Sequence, residues 1–145
     1  MNIKSLPLAL SLFASILSIA MPAKAIGAEA AEAWAPITSS NVGDKFYLQL
    51  QGLRPSIVKG RLGYSSTIKF VPVQGNIMKL TRAWVAEEDC LRGSGQWQST
   101  SLESGDTDTF AFAFGSGNVS SDIAQAVCIQ RQAALEAGEK IKKKK

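Results

Sequence analysis

Two cysteines, Cys90 in EEDCLRGSGQW and Cys128 in SSDIAQAVCIQRQ, stand 38 positions apart in a chain of 145 residues that contains no histidine. What such a pair can do depends on the compartment, and the first 25 residues bear on that. Lys4 gives a positive start, Leu6 to Ala20 form an uncharged apolar run, and Ala23-Lys24-Ala25 supplies small residues at a cleavage position. This is the build of an export signal, with 1–25 removed and the mature chain starting at Ile26. The run falls short of the roughly 20 apolar residues that span a bilayer, so no stable membrane insertion is expected after cleavage. Outside the cytosol an even cysteine pair is most simply a disulfide. Closing a loop of this length removes denatured-state entropy worth about 4 kcal/mol. Two cysteines without histidine do not complete a usual structural zinc site, and the spacing is not that of a C-x-x-C redox motif.

The 120 residues that follow the leader suit one domain with a modest core. The formal charge of +4 misleads about its surface. Lys4 and Lys24 lie in the leader, and Lys140 and Lys142 to Lys145 lie in the last six residues. Residues 26–138 hold 9 basic and 11 acidic side chains. A nucleic-acid-binding domain carries excess positive charge on its folded face, so no nucleic-acid partner is expected.

Residues 26–41 read as a linker, rich in alanine and then in turn formers, with Trp34 as an early anchor on the domain edge. The domain itself is expected over 42–138. Phe46, Leu48 and Leu50 alternate with Tyr47, Gln49 and Gln51, the period of a half-buried strand. Pro55, Gly60 and Gly63 suggest a turn and a short or bulged strand, and Pro72 makes STIKFVPVQ an edge strand. Gln74-Gly75-Asn76 follows as a hairpin turn. NIMKLTRAWVAEEDC is the strongest strand pattern, and GQWQSTSLE is its hairpin partner. TFAFAFG sets Phe110, Phe112 and Phe114 on one side, as a strand facing a core would. After Asn118 the period becomes helical: Val119, Ile123, Ala126 and Val127 share a stripe flanked by Ala124, Cys128 and Leu135. Asn118 or Ser120 caps this helix, which is predicted from about Ser121 to Ala137 with Gly138 as its stop. Strands first and a helix last argue for an α+β layer: a small antiparallel sheet of about five to six strands, a C-terminal helix packed on it, and one disulfide, Cys90 to Cys128. That bond would fasten the helix to the end of the strongest strand.

Without histidine, mechanisms that rely on imidazole are excluded. Glu87-Glu88-Asp89 and the turn acids Asp106 and Asp108 read as solvated groups, so neither a desolvated catalytic carboxylate nor a calcium site is favoured. RGSGQ lacks the lysine of a phosphate-binding loop and reads as a turn. Asn118-Val119-Ser120 matches a glycosylation sequon, with helix capping the preferred role. No cofactor, metal or catalytic residue is assigned. The tail, 139–145, concentrates Lys140, Lys142, Lys143, Lys144 and Lys145, which repel one another and favour disorder or a frayed helix end. These lysines are candidates for contact with an anionic surface.

The order of an early tryptophan (Trp34), F-Y-x-x-x-x-x-L-R (Phe46 to Arg54), E-D-C (Glu88 to Cys90) and I-A-x-x-V-C (Ile123 to Cys128) resembles the surface-adhesin protein E-like family of small exported bacterial proteins. The resemblance covers 34–128 and departs from the family at Phe46 and in the lysine tail. It implies a short antiparallel sheet plus helix, a cysteine pair tying the C-terminal segment to the sheet, and binding of host extracellular-matrix or serum proteins. The expectation is an exported, non-enzymatic, adhesin-like binding protein in the periplasm or at the cell surface. The alternative is a periplasmic inhibitor of a lysozyme-type or other exported enzyme, presenting RGSGQW or ESGDTD as a rigid loop.

Overall fold

The computed structural model describes residues 33–75 and 77–142. In chain order the elements are β1 (Trp34–Ser39), β2 (Lys45–Gln49), β3 (Arg54–Val58), β4 (Arg61–Val71), β5 (Lys79–Ala86), α1 (Glu87–Arg92), β6 (Ser94–Ser101), β7 (Thr107–Ala113) and α2 (Val119–Lys142). The strands form one antiparallel sheet in the order β1-β2-β4-β5-β6-β7, with β3 also paired to β4. Helix α2 packs on one face of it, so the expected α+β layer is present, with seven strands.

β4 is the spine. Its β-branched and aromatic residues make the longest strand of the sheet, 11 residues, with β5 along one edge. The other edge is shared: β2 pairs with Ile68 to Val71 and β3 with Arg61 to Ser65. An edge strand was expected here because of Pro72. The strand ends at Val71, so the residue that cannot donate a ladder hydrogen bond falls just outside the ladder and β4 is central. Asn76, part of the expected hairpin turn that follows, lies outside the described residues. The β3–β4 hairpin closes on Lys59-Gly60, both at positive φ (49° and 76°), the geometry of a tight type I′ turn.

Three further boundaries differ from expectation. Trp34–Ser39, expected as linker, is the edge strand β1, with a register shift between Pro36 and Thr38. An outermost strand tolerates proline, and Lys69 Nζ sits 4.5 Å from the Trp34 ring centroid and 4.9 Å from that of Tyr47. β5 stops at Ala86, and Glu87 to Cys90, expected as the end of that strand, belong with Leu91 and Arg92 to α1 (Glu87–Arg92). Three acids in the first turn and an arginine in the last suit the helix dipole, and Gly93 in the left-handed region caps the end by donating its N–H to Asp89 O. The disulfide therefore joins helix to helix, not helix to strand. Third, α2 runs through Gly138 to Lys142. Good helix formers on both sides outweigh the cost of one glycine, about 1 kcal/mol against alanine.

The core lies between the sheet and α2. Leu48, Ile68, Ala83, Val85, Trp97 and Phe112 from the sheet meet Ile123, Ala124, Val127 and Cys128 from the helix. The polar start of α2 is tied down by hydroxyls. Asn118 Oδ1 accepts the Ser121 N–H as N-cap (2.9 Å), and Ser120 Oγ accepts from Trp97 Nε1 (2.9 Å) while donating to Ala111 O (2.8 Å). Residues 132–140 are all exposed, so the last turns of α2 project beyond the sheet.

Gly138 stands in open space within that projecting helix. Gly138→Ala is expected to raise the unfolding free energy by about 0.5–1 kcal/mol, measurable as a higher denaturant midpoint with an unchanged slope.

Candidate functional site

The acidic run was expected in water, and the structure places two of its three members otherwise. The side chains of Glu87 and Cys90, three apart on one face of α1, meet Arg131 and Cys128, three apart on one face of α2. Cys90 and Cys128 are disulfide-bonded with their Cα atoms 5.4 Å apart. Arg131 Nε donates to Glu87 Oε2 (2.9 Å), and its guanidinium carbon lies 5.8 Å from the Tyr64 ring centroid. Asp89 is 2% exposed and receives Arg61 Nη2 (3.0 Å) on one oxygen and Arg92 on the other. Gly95 is required beside it, because any Cβ there would run into the Asp89 carboxyl. Only Glu88, also paired with Arg61, is exposed as expected. The hydrogen bond to Asp89, helped by Glu88, raises the Arg61 pKa above its ordinary value, so this guanidinium stays charged at any working pH. Arginines thus engage all three carboxylates, and the constellation braces α1 against α2 and the β3–β4 hairpin.

Asp106 and Asp108 are exposed as expected, although Asp108 falls within β7 and not in the turn before it. Glu103, Asp106 and Asp108 surround the β6–β7 hairpin tip, where Ser101 Oγ accepts the N–H groups of Glu103 and Ser104. Among the described residues no three histidine, cysteine or acidic side chains gather as metal ligands would. RGSGQ, expected as a turn, is divided between two elements: Arg92 ends α1, Gly93 alone reverses the chain in the left-handed region, and Ser94 already begins β6. Of the tail, Lys140 is exposed and Lys142 ends α2, while Lys143, Lys144 and Lys145 lie outside the described residues, as does the leader 1–25. Among the described residues no helix is long and apolar enough to cross a membrane.

What the sequence did not disclose is a groove beside the start of α2. Strand alternation aims Phe46, Ile68, Phe70, Trp97 and Phe110 at the helix side of the sheet, but α2 begins at Val119 and covers only part of that surface. The rings gather in pairs: Phe46 with Phe70 and Trp97 with Phe110, each at 5.1 Å between centroids. Together with Val119 and Ile123 they line an open groove of about 430 Å3 whose rim carries Lys79, Thr81 and Ser99. The three-phenylalanine stripe does share one side, yet its members differ. Phe112 is 5% exposed, in the core, and Phe110 is 42% exposed, in the groove. The whole stripe was expected as core; the available signal against that was that one C-terminal helix cannot cover every ring of so many strands. A second apolar hollow of about 640 Å3, with Leu48, Leu50 and Ile129 among its walls, lies along the other flank of α2.

Comparison with protein-family models, with curated proteins and with solved structures finds no match to this chain.

Asp89→Ala removes a buried carboxylate that receives two guanidiniums, both exposed enough to regain water, and is expected to lower the unfolding free energy by about 1–2 kcal/mol. Glu88→Ala, at an exposed pair, should cost under about 1 kcal/mol. Denaturant titration of the two variants checks the contrast.

Proposed function

We propose that this chain is an exported, non-catalytic binding protein of the adhesin-like kind, acting in the periplasm or at the cell surface, and that the ring-lined groove holds its partner. The observation that carries the reading is Phe110, 42% exposed with Trp97 against it and Phe46 and Phe70 across the groove. A contiguous apolar surface rimmed by polar groups is the usual mark of a site kept open for another molecule, and aromatic anchors contribute most of the affinity at such sites. The occupant is an apolar segment of a polypeptide, from a host extracellular-matrix or serum protein. The export signal at the start of the chain and the resemblance of Trp34 to Cys128 to surface-adhesin sequences support the same reading.

One observation favours a second reading as an inhibitor of an exported enzyme. The 102–106 tip is a stiff, acid-bearing projection, with Gly105 N–H bonded to Ser101 O (3.0 Å) and Asp106 N–H to Ser104 Oγ. Such a projection suits insertion into the active site of a cationic hydrolase.

Phe110→Ser is expected to change stability little and to weaken capture of at least one member of a panel of extracellular-matrix and serum proteins by tenfold or more. The measurement is surface plasmon resonance with the mature, oxidised chain. If the panel is captured equally by both forms, or by neither, the groove reading is wrong. Slowed bacterial lysis by added lysozyme-type enzyme, abolished by shortening the 102–106 tip, would favour the inhibitor instead.

A further inference from the structure

The opposite face of the sheet carries a cleft of different chemistry. Gly63, opposite Ser56 in the β3–β4 ladder, leaves room for the Trp84 ring where any Cβ would collide with it and with Val85 O. Trp84 Nε1 reaches Ser56 O (3.5 Å). The hollow beneath has a volume of about 630 Å3, and ten of its thirteen lining residues are polar. Its two charged residues are Arg54 and Arg82, and no carboxylate lines it.

The pairing of the arginines sets these two apart. Arg61, Arg92 and Arg131 are each bound to a carboxylate. Among the described residues Arg54 and Arg82 meet none, and the one hydrogen bond of Arg54 goes to the neighbouring Leu53 O. Their spacing follows from the register. Arg54 lies opposite Ser65, and Arg82 lies opposite Thr67, on the next strand but one. Two strand spacings and a two-residue step separate their Cα atoms by about 12 Å. Both side chains therefore reach one ligand of disaccharide size or larger.

We infer that this cleft is a binding site for an anionic polysaccharide, one bearing sulfate or carboxylate groups on a hydroxyl-rich chain. Arginine grips such groups through two parallel N–H bonds. Thr67, Gln98 and Thr100 along the floor offer the mixed donors and acceptors that sugar hydroxyls need. An acidic peptide fits less well, because Val58 and Trp84 are the only apolar side chains of the lining and Trp84 is buried. The site shares no lining residue with the groove proposed for the polypeptide partner, so each can fail alone.

The test is isothermal titration calorimetry of the mature chain with short oligomers of dextran sulfate, polygalacturonate and neutral dextran. Binding of the sulfated arm, the carboxylate arm or both is expected, and the arm retained identifies the acidic group. Arg54→Gln with Arg82→Gln should weaken it tenfold or more, and Thr67→Val with Gln98→Ala several-fold at unchanged net charge. Lys45→Gln with Lys140→Gln removes the same charge from elsewhere and should change affinity less than twofold. Arg54 and Arg82 are exposed and unpaired, so the variants should keep the circular dichroism of the parent. Equal loss from both charge-removing pairs would reduce the effect to diffuse attraction and overturn the site. So would absence of binding to either anionic oligomer, or equal binding of neutral dextran.

Discussion

A single sulfur–sulfur bond between two helices fixes where the last helix lies. α1 has six residues, too few to persist by backbone hydrogen bonds alone, and α2 follows it only after two more strands and a hairpin. Cys90–Cys128 joins them covalently, and Glu87–Arg131 repeats the junction one turn along both helices. Asp89 extends the brace to Arg61 at the β3–β4 hairpin. The bond matters beyond its entropic effect on the unfolded chain. It places the buried stripe of α2 across the sheet from β2 to β7 and so decides which parts of the sheet stay open.

The open surfaces follow from that placement. α2 begins at Val119 and shields Trp97 and Phe112 but leaves Phe110 on one side of the groove and Phe46 and Phe70 on the other. Its far end projects past the sheet with exposed Leu135 and Lys140. The outer face has no helix over it at all among the described residues, and its strands carry Thr, Gln and Arg at the alternate positions. One face thus presents rings and the other presents arginines among hydroxyls, a division set by strand alternation and by a helix that covers only one side.

Alternation was the most legible signal in the sequence. It marked β2, β7 and most of β5, and the change to a helical period marked the buried stripe of α2. Residue type left its cap open between Asn118 and Ser120, and the export reading led to the cysteine pair. Segments were missed where local chemistry and tertiary placement diverge. β1 is hidden by alanine and proline because its order comes from pairing with β2. α1 is too short to show a period, and Gly138 looks like a stop although nothing ends the helix there. Pro72 suggested an edge for a strand that finishes one residue before it. The groove was illegible for a different reason. Its rings come from β2, β4, β6 and β7, and a period of two says which side a ring faces but not whether a helix reaches it. The ion pairs of Glu87 and Asp89 were hidden likewise, since their arginine partners lie up to 44 positions away.

The junction between the helices is tested most directly by thiol counting on protein recovered from its own cells, alkylated before and after reduction and weighed by mass spectrometry. No alkyl group is expected on Cys90 or Cys128 before reduction and one on each after it. Two alkyl groups on the unreduced protein would contradict the covalent junction, and with it the placement of α2 on which both proposed surfaces depend.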